Sequence, residues 1–228
     1  MLVPVCGFYR WAAEEGHLPY DVAAYVRRPS RPRRSSLRWL TREQLNRLLR
    51  ASRDAGPPVD GLVHLLALNG LRLTETLDAR IEHLETRDGA PVLRLPSRKA
   101  GVMDVVGLPA PTIEVLAECI RGRQRGRILT TGGHALTPAM VYAHLDALSD
   151  VTGLDFRARP HMLRATFVTL SLDAGVPARD VMASTGHATT AMVDYYDRAH
   201  ASARRNASHR LAAWVRSGHD ESAPVPDP

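Results

Sequence analysis

The chain has 228 residues, a formal net charge of +6 and a pI near 9.9, and 44% of its residues are hydrophobic. That is enough for one ordinary domain with a buried core, or one domain and a fragment. The basic balance favours an anionic partner. Cys6 and Cys119 are its two cysteines; they give neither a disulfide framework nor a metal-ligand spacing, and an intracellular protein is the simpler reading. No apolar run approaches the roughly 20 residues that span a bilayer. The first 16 residues carry acids and no basic leader, unlike a signal peptide. A cytoplasmic location without membrane attachment is expected. Of the 30 Lys and Arg residues, 29 are arginine, and Lys99 is the single lysine. Lysine gives up a proton where arginine does not, so this position is a candidate for acid catalysis.

In chain order, residues 2–16 are expected to form an amphipathic helix with Phe8, Trp11 and Ala12 on one side, stopped by Gly16. Pro29–Ser36 reads PSRPRRSS, an exposed basic linker whose Arg31, Arg33 and Arg34 can neutralise phosphates without reading sequence. A solvated tether is the plainer alternative. Thr41 and Gln44 form a capping box, and Leu40, Leu45, Leu48 and Leu49 follow at helical spacing. Gly56-Pro57-Pro58 is expected to end that helix. Residues 59–69 then form a mostly apolar helix broken by Gly70. Arg72 falls at the junction with the next helical turn, in apolar surroundings. A buried arginine there needs an anion: Glu75 three residues on, or a phosphate.

Residues 80–108 change to short alternating segments and predict three strands, with Asp88-Gly89 and Ala100-Gly101 marking the turns. Lys99 falls at the tip of the second hairpin, beside Arg98. Helix returns at 109–122, followed by a basic loop at 121–127 and a Gly-Gly turn at 132–133. Thr137-Pro138 opens a helix over 138–149. His161 begins a helix reaching about Ala174, stopped by Gly175. Pro177 opens a short helix ending near Thr185-Gly186. Further helices are expected over 188–197 and 201–216, the latter turning Leu211, Trp214 and Val215 to one side. The Pro-rich tail from 217 to 228 is expected to be disordered. The fold class expected is mainly α with a small antiparallel three-stranded β-sheet.

The stretch from Arg159 to Arg198 holds the chemistry. His161 and Arg164 stand at i and i+3 on one helix face. Gly186-His187 follows, and Tyr196 lies nine residues beyond that histidine. Guanidinium groups match phosphate oxygens in pairs and stabilise an anionic transition state. Histidines can accept a tyrosine proton or donate to a non-bridging oxygen, and a phenol held among cations can attack. Each histidine alone reads more simply as a satisfied structural residue; the combination points to chemistry on a phosphodiester. No phosphate-binding glycine loop occurs, and neither a metal nor another cofactor is called for.

Arg72, Lys99, His161-x-x-Arg164, Gly186-His187 and Tyr196, in this order, resemble the catalytic pattern of the tyrosine recombinases, the phage integrase and Xer-type family. The resemblance runs from about Leu37 to about Val215. It implies that residues 37–216 form the catalytic domain, that residues 1–28 look like the tail of an N-terminal DNA-clamping domain, and that 29–36 join the two. It implies that Tyr196 attacks the scissile phosphate, leaving a 3′-phosphotyrosine and a free 5′-hydroxyl. The six residues Arg72, Lys99, His161, Arg164, His187 and Tyr196 would be catalytic. Arg31, Arg33, Arg34 and Arg98 are DNA-binding candidates. Double-stranded DNA is the implied partner, with a monomer when free and a homotetramer on DNA. Tyr195 competes for the role of nucleophile, but neighbouring helical residues point about 100° apart and the family's register favours Tyr196. Two alternatives stay open: a type IB topoisomerase-like DNA relaxer, and a catalytically impaired DNA-binding remnant.

Overall fold

The computed structural model describes residues 2–26, 38–96 and 104–186. The chain divides into two compact units, Met1–Ser35 and Ser36–Pro228. In the first, helix α1 (Leu2–Glu14) ends at turns around Gly16, whose φ of 74° is the left-handed conformation glycine adopts without cost. Ala12 is buried, as are Cys6 and Ala23. Phe8 and Trp11, read as lying on one side of the helix with Ala12, are 57% and 49% exposed.

The second unit begins with α2 (Arg42–Asp54). Its capping box forms as the sequence requires: the Thr41 amide donates to Gln44 Oε1 at 2.8 Å and the Gln44 amide to Thr41 Oγ1 at 3.2 Å. Such a cap contributes about 1 kcal/mol. Leu40, Leu45 and Leu48 are buried, with Leu49 half-buried beside them. Helix α3 (Pro57–Ala67) starts on the two prolines assigned above to a helix stop. Proline has no N–H, and the first residues of a helix need none, so Gly56 at φ 100° ends α2 while Pro57 opens α3. Every residue from Val59 to Ala67 is buried, and α3 packs against α2 and against two later helices, α5 (Ala110–Ile120) and α7 (Pro160–Asp173). Its polar residues are paired inside: Ser52 Oγ donates to Asp60 Oδ1 at 2.7 Å, and His64 Nδ1 lies 2.9 Å from the Asp60 carbonyl.

After the short helix α4 (Leu73–Leu77) come β1 (Leu84–Arg87), β2 (Ala90–Arg94) and β3 (Val105–Gly107), an antiparallel sheet in the order β1-β2-β3. Asp88 and Gly89 both have positive φ, 51° and 77°, as the two-residue hairpin turn demands. Leu93 opposite Val106 turns the sheet's apolar face to the core. The strands are shorter than expected because Arg80 pairs with Arg127 and residues 81–83 form a single 3₁₀ turn. The expected turn at 100–101 lies outside the described residues.

Helix α5 (Ala110–Ile120) ends on Arg121 and Gly122, both with positive φ. The basic loop that follows is not uniformly solvated. Arg123 turns inward and donates to the carbonyls of Cys119, Ile120, Arg127 and Ile128 at 2.7–3.2 Å, satisfying acceptors that the helix end leaves open. A second small hairpin, β4 (Thr130–Thr131) with β5 (His134–Ala135), turns on Gly132-Gly133. Helix α6 (Pro138–Val151) runs two residues past its expected end. Helices α7 (Pro160–Asp173) and α8 (Ala178–Thr185) lie where the sequence puts them. The expected helices at 188–197 and 201–216 and the tail at 217–228 fall outside the described residues. The fold is mainly α with a small antiparallel three-stranded sheet, as its class was read from the sequence.

Candidate active site

The site starts where α3 ends. Gly70 adopts φ 64°, and the Leu71 amide reaches back six positions to the Leu65 carbonyl at 3.0 Å, one position further than the usual closure of a glycine-terminated helix. The closure buries Leu71, exposes the Gly70 carbonyl to α7 and sends Arg72 off in an extended conformation. Asn69 secures the same corner: its amide donates to the Gly107 carbonyl at 2.9 Å and its oxygen accepts from Thr112 Oγ1 at 3.0 Å.

Arg72 was expected in buried surroundings. Its side chain is 43% exposed, because the neighbour that faces the core is Leu71. The buried arginine is Arg164, 4% exposed, one turn into α7. Its Nη1 donates to the Gly70 carbonyl at 2.5 Å and its Nη2 to the Thr185 carbonyl at 2.6 Å.

Glu75 links the two. Its carboxylate, 4% exposed, accepts from Arg72 Nη1 and from the Arg72 amide, each at 2.8 Å, and lies 4.0 Å from Arg164 Nη1. Arg72 Nη2 also donates to the Gly186 carbonyl at 3.0 Å. The end of α8 is therefore held by both arginines, and the chain continues from Gly186 into His187, outside the described residues. Sequence spacing pointed to Glu75 as a partner of Arg72. Its link to Arg164 had no local signal, because 89 positions separate the two residues.

His161 stands in the first turn of α7, one turn ahead of Arg164, and is exposed at the surface. Partial desolvation of the ring, followed by the Arg164 charge, holds its pKa below the ordinary histidine value. The neutral imidazole is thus favoured, the form that accepts a proton. The two guanidinium groups and one carboxylate leave the cluster one positive charge in excess, suited to an anion that binds over it. Glu75 also lines a cavity of about 210 Å³, with Asp78, Arg80, His83, Arg94, Leu95 and Pro96. Desolvation and then Arg94 lower the His83 pKa. Arg98 and Lys99 follow shortly after Pro96, outside the described residues.

Of the residues singled out in the sequence, Arg72 and Arg164 are brought together and His161 lies one turn from Arg164. Lys99, His187, Tyr196, Arg31, Arg33, Arg34 and Arg98 lie outside the described residues. Among the described residues no group of three or more His, Cys, Asp or Glu is placed to hold a metal ion, and no helix is long and apolar enough to cross a membrane.

This chain belongs to the phage integrase family, the tyrosine recombinases: the family's model matches residues 38–203. Among its relatives is tyrosine recombinase XerD of Mycobacterium tuberculosis, 30% identical over 213 residues, covering 86% of this chain and 67% of that protein. The crystal structure of XerA recombinase superposes with a TM-score of 0.61 at 18% identity, over 95% of this chain and 82% of that one. A lambda integrase dimer (residues 75–356) bound to a COC′ core site gives 0.63 at 19% identity, over 88% and 72%. A lambda integrase tetramer bound to a Holliday junction gives 0.60 at 19% identity, over 84% and 56%. At these identities the solved structures establish the fold.

Proposed function

We propose that this chain is a site-specific DNA recombinase that cuts and rejoins strands through a tyrosine–DNA ester. The observation that carries the reading is the joining of Arg72 and Arg164 through one buried carboxylate, with the end of α8 held at Gly186. That arrangement makes a cationic seat for one phosphate and fixes Gly186, the residue before His187 in the sequence. Lys99 is three residues beyond Pro96, which shares a cavity wall with Glu75.

In this reading Arg72 and Arg164 hold the non-bridging oxygens and His187 donates to one of them. Tyr196 Oη attacks phosphorus as His161 takes the phenolic proton. The bond from phosphorus to the 5′-oxygen breaks, and Lys99 protonates the departing oxygen. The 3′-phosphotyrosine retains the ester for attack by another strand's 5′-hydroxyl, which reverses each step. Nucleophile, base and acid are all side chains, so the scheme calls for no cofactor. Double-stranded DNA is the partner, with Arg31, Arg33, Arg34 and Arg98 as further backbone contacts. Residues 1–28 and 29–36 serve as a DNA-clamping segment and its strap. A homotetramer on DNA, monomeric when free and located in the cytoplasm, completes the proposal; a lambda integrase tetramer bound to a Holliday junction is among the similar structures.

The test is covalent trapping on nicked suicide duplexes with a randomised core, resolved on denaturing gels. Wild-type chain is expected to give a slow band that Tyr196→Phe abolishes while duplex binding persists. A band that survives in Tyr196→Phe moves the nucleophile to Tyr195 or discards the mechanism.

A further inference from the structure

The loop that enters α7 carries two arginines outside the phosphate seat. Arg159 is the residue before the helix, two positions ahead of His161. Its guanidinium stacks on Tyr142, 5.6 Å from the ring centre. It uses one nitrogen: Nη1 donates to Asp146 Oδ1 at 2.6 Å and to the Ala158 carbonyl at 2.9 Å. Among the described residues Nε and Nη2 make no hydrogen bond, and that edge is the one that matches two phosphate oxygens. Arg157 lies alongside, donating from Nη1 to Asp150 Oδ1 at 2.5 Å and to the Asp146 carbonyl at 3.0 Å, with Nε 3.9 Å from Asp146 Oδ1. Tyr142, Asp146 and Asp150 stand at i, i+4 and i+8 on α6, so one helical stripe holds both arginines.

We infer that Arg159, supported by Arg157, is a second phosphate-binding station for the duplex backbone, kept neutral by Asp146 until DNA takes that carboxylate's place. The inference rests on the recombinase reading of the neighbouring seat. Two considerations carry it. Residues 159 and 161 are at most about 7 Å apart along the chain, close to the distance between neighbouring phosphates of one strand. A strand with one phosphate over Arg72 and Arg164 therefore offers its neighbouring phosphate to an arginine at this position. The second is exchangeability. Arg159 and Asp146 are each 40% exposed, and an exposed ion pair contributes little, so a phosphate can displace the carboxylate. The Glu75–Arg164 pair, 4% exposed on both sides, is not available for such an exchange. The stack on Tyr142 keeps the guanidinium plane in position while its anionic partner changes.

The experiment measures binding of the whole chain to a labelled 30-base-pair duplex of arbitrary sequence by fluorescence anisotropy, from 50 to 200 mM salt. Urea melts of every variant run alongside. Arg159→Gln is expected to weaken binding and to reduce the slope of log affinity against log salt by about 0.9, the loss of one phosphate contact. Asp146→Asn is expected to tighten binding, by up to about fivefold, because the competing carboxylate is gone. Arg159→Lys should keep the slope. A purely structural loop anchor predicts the opposite pattern, in which Arg159→Gln and Asp146→Asn both lower stability and neither alters the slope. An unchanged slope in Arg159→Gln, or weaker binding in Asp146→Asn, overturns this inference alone. Wild-type chain that shows no salt-dependent duplex binding overturns the recombinase reading together with it.

Discussion

Glu75→Gln is the substitution that tests the architecture of the phosphate seat. The glutamine keeps the shape and an acceptor for the Arg72 amide but removes the charge between two guanidinium groups. The Arg72 side is 43% exposed, so its ion pair contributes roughly 0–1 kcal/mol. The Arg164 side is different, because both partners are 4% exposed and 4.0 Å apart. Coulomb's law at an effective dielectric of 20 gives about 4 kcal/mol for that separation. The carbonyls of Gly70 and Thr185 remain on Arg164 and recover part of it, so the expected loss is about 2–4 kcal/mol. Set against a total stability of roughly 5–15 kcal/mol, the variant still folds at low denaturant. A urea titration of the free chain reads the loss as a lower midpoint at unchanged slope. Duplex DNA should offset part of it, since a phosphate restores the missing negative charge. The variant is therefore expected to gain more stability from saturating duplex than the wild-type chain does. A loss below about 1 kcal/mol would refute the claim that Glu75 compensates a buried charge. An equal gain on DNA for both proteins would refute the claim that a phosphate occupies the same seat.

Gly70→Ala places a methyl 2.4 Å from Phe167 Cδ1 at a φ of 64°. The left-handed conformation costs about 1–2 kcal/mol and the overpacking about 1–3 kcal/mol, so a loss of about 2–5 kcal/mol in a urea melt is expected. Relief by Phe167→Ala in the double variant would identify the steric part. For His161, desolvation and then the Arg164 charge depress the pKa, so the acid limb of the cleavage profile should fall below the ordinary histidine range. The sign for folding agrees: this residue's contribution to stability is fully present above the unfolded pKa and is lost as pH drops through the folded one. A histidine NMR titration reads both, and an ordinary or raised value contradicts the assignment. The Cys119 thiol is pushed up to about 11, chiefly by burial, and its Sγ lies 2.9 Å from the Pro57 carbonyl as donor. Alkylation at pH 8 is expected to leave Cys119 unmodified in the native chain and to modify it in urea, as peptide mass spectrometry would show.

The sequence by itself determined what is local. The Thr41–Gln44 box, the Asp88-Gly89 turn, the Thr137-Pro138 start and the Gly186 stop all appear where their residues demand. Each is fixed by the φ a residue tolerates or by hydrogen bonds to neighbours three or four positions away. The His161–Arg164 spacing is local in the same sense. The spacing of apolar residues likewise indicated a mainly helical chain with a small three-stranded sheet. Tertiary structure decided what depends on partners far along the chain. Arg72, expected to be buried, is 43% exposed because Leu71 takes the inward position, and α7 carries Arg164 into the corner that α3 leaves at Gly70. Arg123 left the surface to close the end of α5. Glu75 became the common partner of two arginines 92 positions apart. A charge is buried only when packing supplies its counter-charge and its acceptors together. Helices that cross at a site supply them from different parts of the chain, and no short window of sequence records which ones meet.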